Sequence, residues 1–241
     1  MATYYVDYGP NGNDTNPGTF AAPFKNWKKG IDSAAFAGDK VRIIASGTPV
    51  VIPSADTITV TNHVGTSFSN PGLTIEGVSA TDGSTPALAE VRFQDDAVSQ
   101  VALTLSTNCD YIIVQGIKVN WSNNVTAMNG KAFVRRSATS ATNIRVQYNY
   151  FKGKNTVGGI IYHEATTTAA NMGGEFRYNY VENVNVDVIK VLADRSGKCY
   201  VYNNVFVVAV GGGTAATGIS CGTADGTSTD HRFYNNTIVV R

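Results

Sequence analysis

At 241 residues the chain is long enough to build one large domain around its own core, and no linker divides it. Charged residues make up 15% and the formal net charge is +1, which leaves no electrostatic footprint for nucleic acid or for an anionic membrane surface. Gly, Asn, Thr, Val and Ala dominate while Leu, Glu and Lys are thin, a balance that favours strands and tight turns over helices.

In chain order, Ala2-Thr3-Tyr4-Tyr5-Val6 already reads as a strand, with neither the basic nor the apolar region of a secretory leader. No apolar stretch approaches the roughly 20 residues of a membrane-spanning helix. One helix is expected, from Phe24 to Ala35, with Phe24, Trp27, Ile31 and Ala35 on one face, Pro23 opening it and Gly38 closing it. Residues 1–48 form a cap in which Trp27, Ile31 and Phe36 bury the end of the structure that follows. Irregular loops are expected from Pro49 to Gly72 and from Ser79 to Ala97. Cys109, Cys199 and Cys221 lack metal-ligand spacing and read as small core residues. His63 stands beside Asn62 with no partner nearby in sequence.

Residues 49–241 read as stacked rungs of one domain. Four strand-like runs end in the same pair, Tyr148-Asn149, Tyr178-Asn179, Tyr202-Asn203 and Tyr234-Asn235, which lie by subtraction 30, 24 and 32 residues apart. Such a loosely fixed period marks a solenoid with variable turns. Asn accepts left-handed backbone geometry, so Asn149, Asn179, Asn203 and Asn235 are expected at bends, stacked into a ladder of side-chain amides. Weaker copies, Thr74-Ile75-Glu76-Gly77-Val78 and Ile113-Val114-Gln115-Gly116-Ile117, carry Gly at the bend.

The cap pattern of Tyr4-Tyr5-Val6-Asp7, Gly12-Asn13-Asp14-Thr15-Asn16-Pro17-Gly18-Thr19, the helix and Ala37-Gly38-Asp39-Lys40-Val41 resembles the N-terminal cap of the pectate-lyase-like superfamily. The rungs fit that superfamily as a general pattern. The resemblance implies an all-β fold, a single-stranded right-handed parallel β-helix with a short N-terminal capping helix. It also implies two enzyme designs to look for, a lysine or arginine base beside calcium-binding carboxylates, or paired carboxyls in a hydrolase.

Segments preceding the Tyr-Asn rungs align Arg135, Tyr162, Lys190 and Ser220 as an outward file beside an inward file of Val134, Ile161, Ile189 and Ile219. Arg135, Tyr162 and Lys190, with Asp194 and Arg195 on the same rung, are the candidate saccharide-binding residues, since Tyr stacks on sugars and Arg or Lys pairs with a uronate. Lys190, Asp187 and Arg135 are the catalytic candidates. Calcium would require six to eight oxygen ligands, and neither Asp187 with Asp194 nor Asp95 with Asp96 supplies a converging cluster, so no metal or other cofactor is expected unless the protein is a lyase. Glu164 with Asp187 is the one conceivable hydrolase pair. His163-Glu164 and Asp230-His231 are adjacent residues that diverge on a strand, and the three Asn-x-Thr sequons matter only in a secretory compartment.

Two functions follow. Lacking a leader and an acidic cluster, the chain is expected first to be a non-enzymatic structural or receptor-facing component of a virion, such as a bacteriophage tail or capsid decoration protein. In that role it is made in a host cytoplasm, contacts cell-surface glycans, and forms a homo-oligomer or meets other virion proteins through its C-terminal rungs. The alternative is an extracellular polysaccharide lyase or glycoside hydrolase.

Overall fold

The computed structural model describes residues 1–52, 58–93, 101–120, 132–136, 141–153, 160–164, 174–182, 189–191, 199–208, 219–221 and 232–241. Alternating apolar and polar residues set the local structure: in Ile117–Asn120 the pattern is buried, half-buried, buried, half-buried, as a strand with one face on a core requires. Among the described residues, strands assemble into three sheets of nine, seven and six strands, and every strand pairing is parallel.

The chain visits the sheets in rotation. Cys109–Gln115 lies in the first sheet, Ile117–Asn120 in the second and Ala132–Arg136 in the third, and Ala141–Gln147 returns to pair with Cys109–Gln115. Each turn therefore stacks on the one before. In the first sheet the register puts Ile75, Val114, Val146, Phe176 and Val201 in one file, all buried. In the second sheet the matching file is Val91, Val119, Phe151, Val181 and Phe206. Phe133, Phe151, Phe176 and Phe206 touch ring to ring at centroid distances of 5.7–6.4 Å, which joins the files into one continuous core. Cys109 and Cys199 are buried in it, and burial pushes the Cys109 thiol up to about 11.

The helix is shorter than expected, Trp27–Ser33, because Asn26 adopts an extended conformation and caps it by accepting a hydrogen bond from the Lys28 backbone. Upstream, Phe24 is extended and bridges to Val6, exchanging backbone hydrogen bonds with Tyr5 and Asp7. Phe24, Trp27, Ile31 and Ala34 close the end of the core, but Phe36 is 74% exposed. The helix stops at Ala34, and Phe36 falls after the turn of chain that faces the core. His63 does have partners: it is buried, its Nδ1 lies 2.7 Å from the Thr61 carbonyl and its Nε2 meets the carbonyl of Ala34. It ties the helix end to the solenoid. Short strands also occupy parts of the two expected loops, at Val50–Ile52, Ile58–Val60, His63–Val64 and Ala89–Phe93.

Candidate functional site

The corner between the first and second sheets carries the most specific chemistry. There Gly116, Tyr148, Tyr178, Asn203 and Asn235 adopt φ between +53° and +67° on successive turns. After the last four of these bends the next residue, Asn149, Asn179, Asn204 or Asn236, turns inward to form the amide ladder, and Ile117, which follows Gly116, donates its backbone N–H to Asn149 Oδ1. Asn149 donates to Asn179 Oδ1 at 3.1 Å, Asn179 to Asn204 Oδ1 at 3.1 Å, and Asn204 to Asn236 Oδ1 at 3.0 Å. Asn203 and Asn235 are thus bend residues, with their neighbours Asn204 and Asn236 in the ladder.

The repeated Tyr-Asn pair therefore occupies two different places. Tyr202 and Tyr234 end their strands, in register with Gln147 and Arg177, whereas Tyr148 and Tyr178 sit on the bend itself. A bulky side chain in the left-handed region costs about 1–2 kcal/mol, and such strain concentrates where function holds it. The consequence is a file of rings in which Tyr148, Tyr178 and Tyr234 are exposed and Tyr202 is half-buried. Tyr148 stacks on Tyr178 at 5.1 Å and 7°, Tyr178 meets Tyr202 edge-on at 6.1 Å, and Tyr202 stacks on Tyr234 at 4.8 Å and 5°.

One face of Tyr148 is covered by Tyr178, from the turn after it. The other looks toward the turn before, where the bend residue is Gly116 and has no side chain to fill the space. A cleft of about 460 Å³ opens there, lined by Tyr148, Gly116, Gly77, Glu76, Gln115, Val78 and residues 84 and 86–88. Its size is that of a small-molecule site. The wall opposite Tyr148 is pinned: Ala87 N–H donates to the Gly77 carbonyl at 3.1 Å, Ala89 N–H to Gly116 at 3.0 Å, and Ser79 N–H to Thr85 at 2.8 Å. This close approach is what Gly77 permits, since a Cβ there would lie 2.0 Å from the Gly116 oxygen and 2.3 Å from that of Ala87. Asp82 braces the turn before it, accepting from Ser84 N–H, Thr85 N–H and the Thr85 hydroxyl; these bonds, the Thr85 hydroxyl's first, hold its carboxyl well below the usual range.

A polar file runs along the first sheet at the floor of the cleft. Arg42 Nε donates to Glu76 at 2.8 Å, Gln115 to the other Glu76 oxygen at 2.9 Å, Gln147 to Gln115 at 2.7 Å, and Arg177 to Gln147 at 2.8 Å and to the Tyr202 hydroxyl at 2.7 Å. Burial alone would lower the Arg42 and Arg177 pKa values, but hydrogen bonds to Glu76 and Tyr5, and to Tyr202, outweigh it and hold both guanidinium groups charged. Glu76 is consequently an engaged carboxylate with both oxygens taken. It can orient a polar ligand but is not a free base.

The residues expected to form a saccharide-facing file lie on the third sheet. Register places Arg135 opposite Thr104 and His163, and His163 opposite Lys190, while Tyr162 pairs with Val134 and Ile189. Tyr162 is thus one residue out of the Arg135–Lys190 file, and His163 takes its place. Lys190 continues to Ser220. Glu164 pairs with Arg136, and Asp187, Asp194 and Arg195 lie outside the described residues. Among the described residues no group of three or more His, Cys, Asp and Glu is placed to hold a metal ion. Sequence reasoning missed Glu76, Gln115, Leu88 and the open face of Tyr148. The signal was the weak rung copy itself, where Gly116 stands in place of a ringed bend residue.

No family model matches the chain, and no curated protein matches it. Among solved structures it is similar to a rhamnogalacturonan lyase, with a TM-score of 0.51 and 15% sequence identity; the superposition covers 100% of this chain and 62% of that one. At that identity the likeness concerns the fold, a mostly β chain of parallel sheets with a single helix among the described residues.

Proposed function

We propose that this chain is a right-handed parallel β-helix of the pectate-lyase-like kind that binds an extended polysaccharide, seating one sugar unit in the cleft against Tyr148. One observation carries the reading: an aromatic ring with one face open, set over a pinned apolar wall and an amide-carboxylate floor. A pyranose offers the complement, an apolar face for the ring and hydroxyls for Gln115 and Glu76. The structural likeness to a polysaccharide lyase supports this reading over the virion one, and makes lyase chemistry the reaction to look for. Any cleavage would take place on a different stretch of the same polysaccharide, along the third sheet, where Arg135, His163 and Lys190 share a file and are residue types that can pair with a uronate and accept its α-proton.

Binding and cleavage are tested together on a panel of neutral and uronate-containing polysaccharides, with and without calcium. Retention of the protein on at least one of them is expected, with Tyr148→Ala weakening it by about tenfold, the equivalent of one aromatic contact. Unsaturated sugar ends, lost in Lys190→Ala, would establish the lyase reaction and locate its base. Failure to bind any member of the panel would overturn the proposal.

A further inference from the structure

A second cleft opens in the N-terminal cap and shares no lining residue with the one at Tyr148. It measures about 340 Å³ and lies where Asp7, just after the strand Thr3–Val6, meets Ser46, just after Asp39–Ala45. Asp7 is 3% exposed. Its Oδ1 accepts from the Gly9 N–H at 2.7 Å and from the Ser46 hydroxyl at 2.6 Å, whereas its Oδ2 has no hydrogen-bond partner among the described residues and is not sealed from solvent. That second oxygen therefore opens on the cleft. No Lys, Arg or His among the described residues forms an ion pair with Asp7, and the Lys25 ammonium sits instead on the carbonyls of Tyr8 and Gly9, at 2.6 and 2.8 Å. A carboxylate withdrawn from water without a counter-charge is costly, and a cationic ligand offsets that cost.

The lining narrows the choice of cation. A carboxylate only accepts hydrogen bonds, and the Ser46 hydroxyl already points its proton at Asp7, so both groups offer a ligand lone pairs and call for N–H donors. Beside them the walls are Phe20, Pro23 and Ile44. Phe20 is held in place, edge-on to Tyr5 at 5.5 Å and against Gly83, where a Cβ would lie 2.4 Å from the ring. A calcium ion needs six to eight oxygen ligands, whereas a short alkyl stem suits these apolar walls and an ammonium is attracted to an aromatic ring. We infer that the cleft binds an alkylammonium group, with its N–H donors on Asp7 Oδ2 and Ser46 Oγ and its stem on Phe20, Pro23 and Ile44. The group can belong to a small free amine or to a lysyl side chain. This site is independent of polysaccharide binding at Tyr148.

Amide NMR titration of the whole chain at constant ionic strength tests this with three probes: n-butylammonium, its neutral counterpart n-butanol, and a lysine blocked at both main-chain ends. Saturable shifts are expected at the amides of Gly9, Phe20 and Ser46, with n-butanol at least about tenfold weaker, the worth of one charge-assisted hydrogen bond. Asp7→Asn keeps the Oδ1 acceptor for Gly9 and Ser46 while removing the charge, and should weaken n-butylammonium by about tenfold or more. Ala80 lines the cleft and is exposed, so Ala80→Phe keeps the fold and should block entry. Blocked lysine binding within about threefold of n-butylammonium would identify a lysyl side chain as the source, and much weaker binding a free amine. An equal response to n-butanol, displacement of n-butylammonium by calcium, binding undiminished in Asp7→Asn or Ala80→Phe, or no saturable shift at these amides would each overturn the inference, and none of these outcomes touches polysaccharide binding.

Discussion

Asn179 is 2% exposed, and its side-chain oxygen accepts from both the backbone and side-chain nitrogens of Asn149 while its amide donates to Val146, Arg177 and Asn204. Truncation would leave buried donors and acceptors on two turns without partners, so Asn179→Ala is expected to cost about 2–4 kcal/mol in urea unfolding. Asn203, at φ 56° and outside the ladder, should accept glycine within about 0.5 kcal/mol. Equal costs at the two positions would contradict the ladder drawn here. The distinction was only half legible in the sequence. Repetition of Tyr-Asn marked the corner, but aligning the four pairs assumes the same role for each Tyr, and an aromatic at positive φ is too rare to anticipate. A slip of one residue then exchanges bend for ladder, just as it misplaced Tyr162 relative to Arg135 and Lys190.

At the scale of elements, apolar spacing found the helix and its buried face, while Asn26 and Ala34 set its true limits. Spacing from Phe24 carried the expected helix too far upstream, because that ring is buried by a strand-like bridge and not by a helical face. Phe36 was misjudged for a related reason: once the helix has ended, large apolar character no longer says which way a side chain points. Ile31→Ala should therefore destabilise the chain by about 2–4 kcal/mol, whereas Phe36→Ser should change it by less than about 0.5 kcal/mol, both read as shifts in the urea midpoint at constant slope. The cleft was legible in the same partial way. Its empty bend was written as Gly116, but the wall comes from residues 84–88, in a stretch expected to be irregular, and only backbone pairing to Gly77 and Gly116 brings it there.

For the molecule as a whole, each turn draws its stability from the turns on either side, as in any stacked repeat. Cys109–Gln115 and Ile117–Asn120 are flanked on both sides, and their core residues Ile112, Val114, Ile117 and Val119 are fully buried. Among the described residues, Arg232–Tyr234 and Thr237–Val240 pair with one neighbouring strand each, Cys199–Tyr202 and Val205–Val208, and Phe233, Ile238 and Val240 are 44%, 64% and 63% exposed. Opening the turn of residues 232–240 breaks one set of sheet hydrogen bonds and uncovers little apolar surface that water does not already reach. Opening a central turn breaks two sets and exposes the core. Local opening should then cost far less at residues 232–240, and hydrogen exchange followed by mass spectrometry should show their amides exchanging at least about 100-fold faster than those of residues 109–120. Protection equal to that of the central turns would mean that another chain covers Ile238 and Val240, and it should then fall on dilution as that contact dissociates.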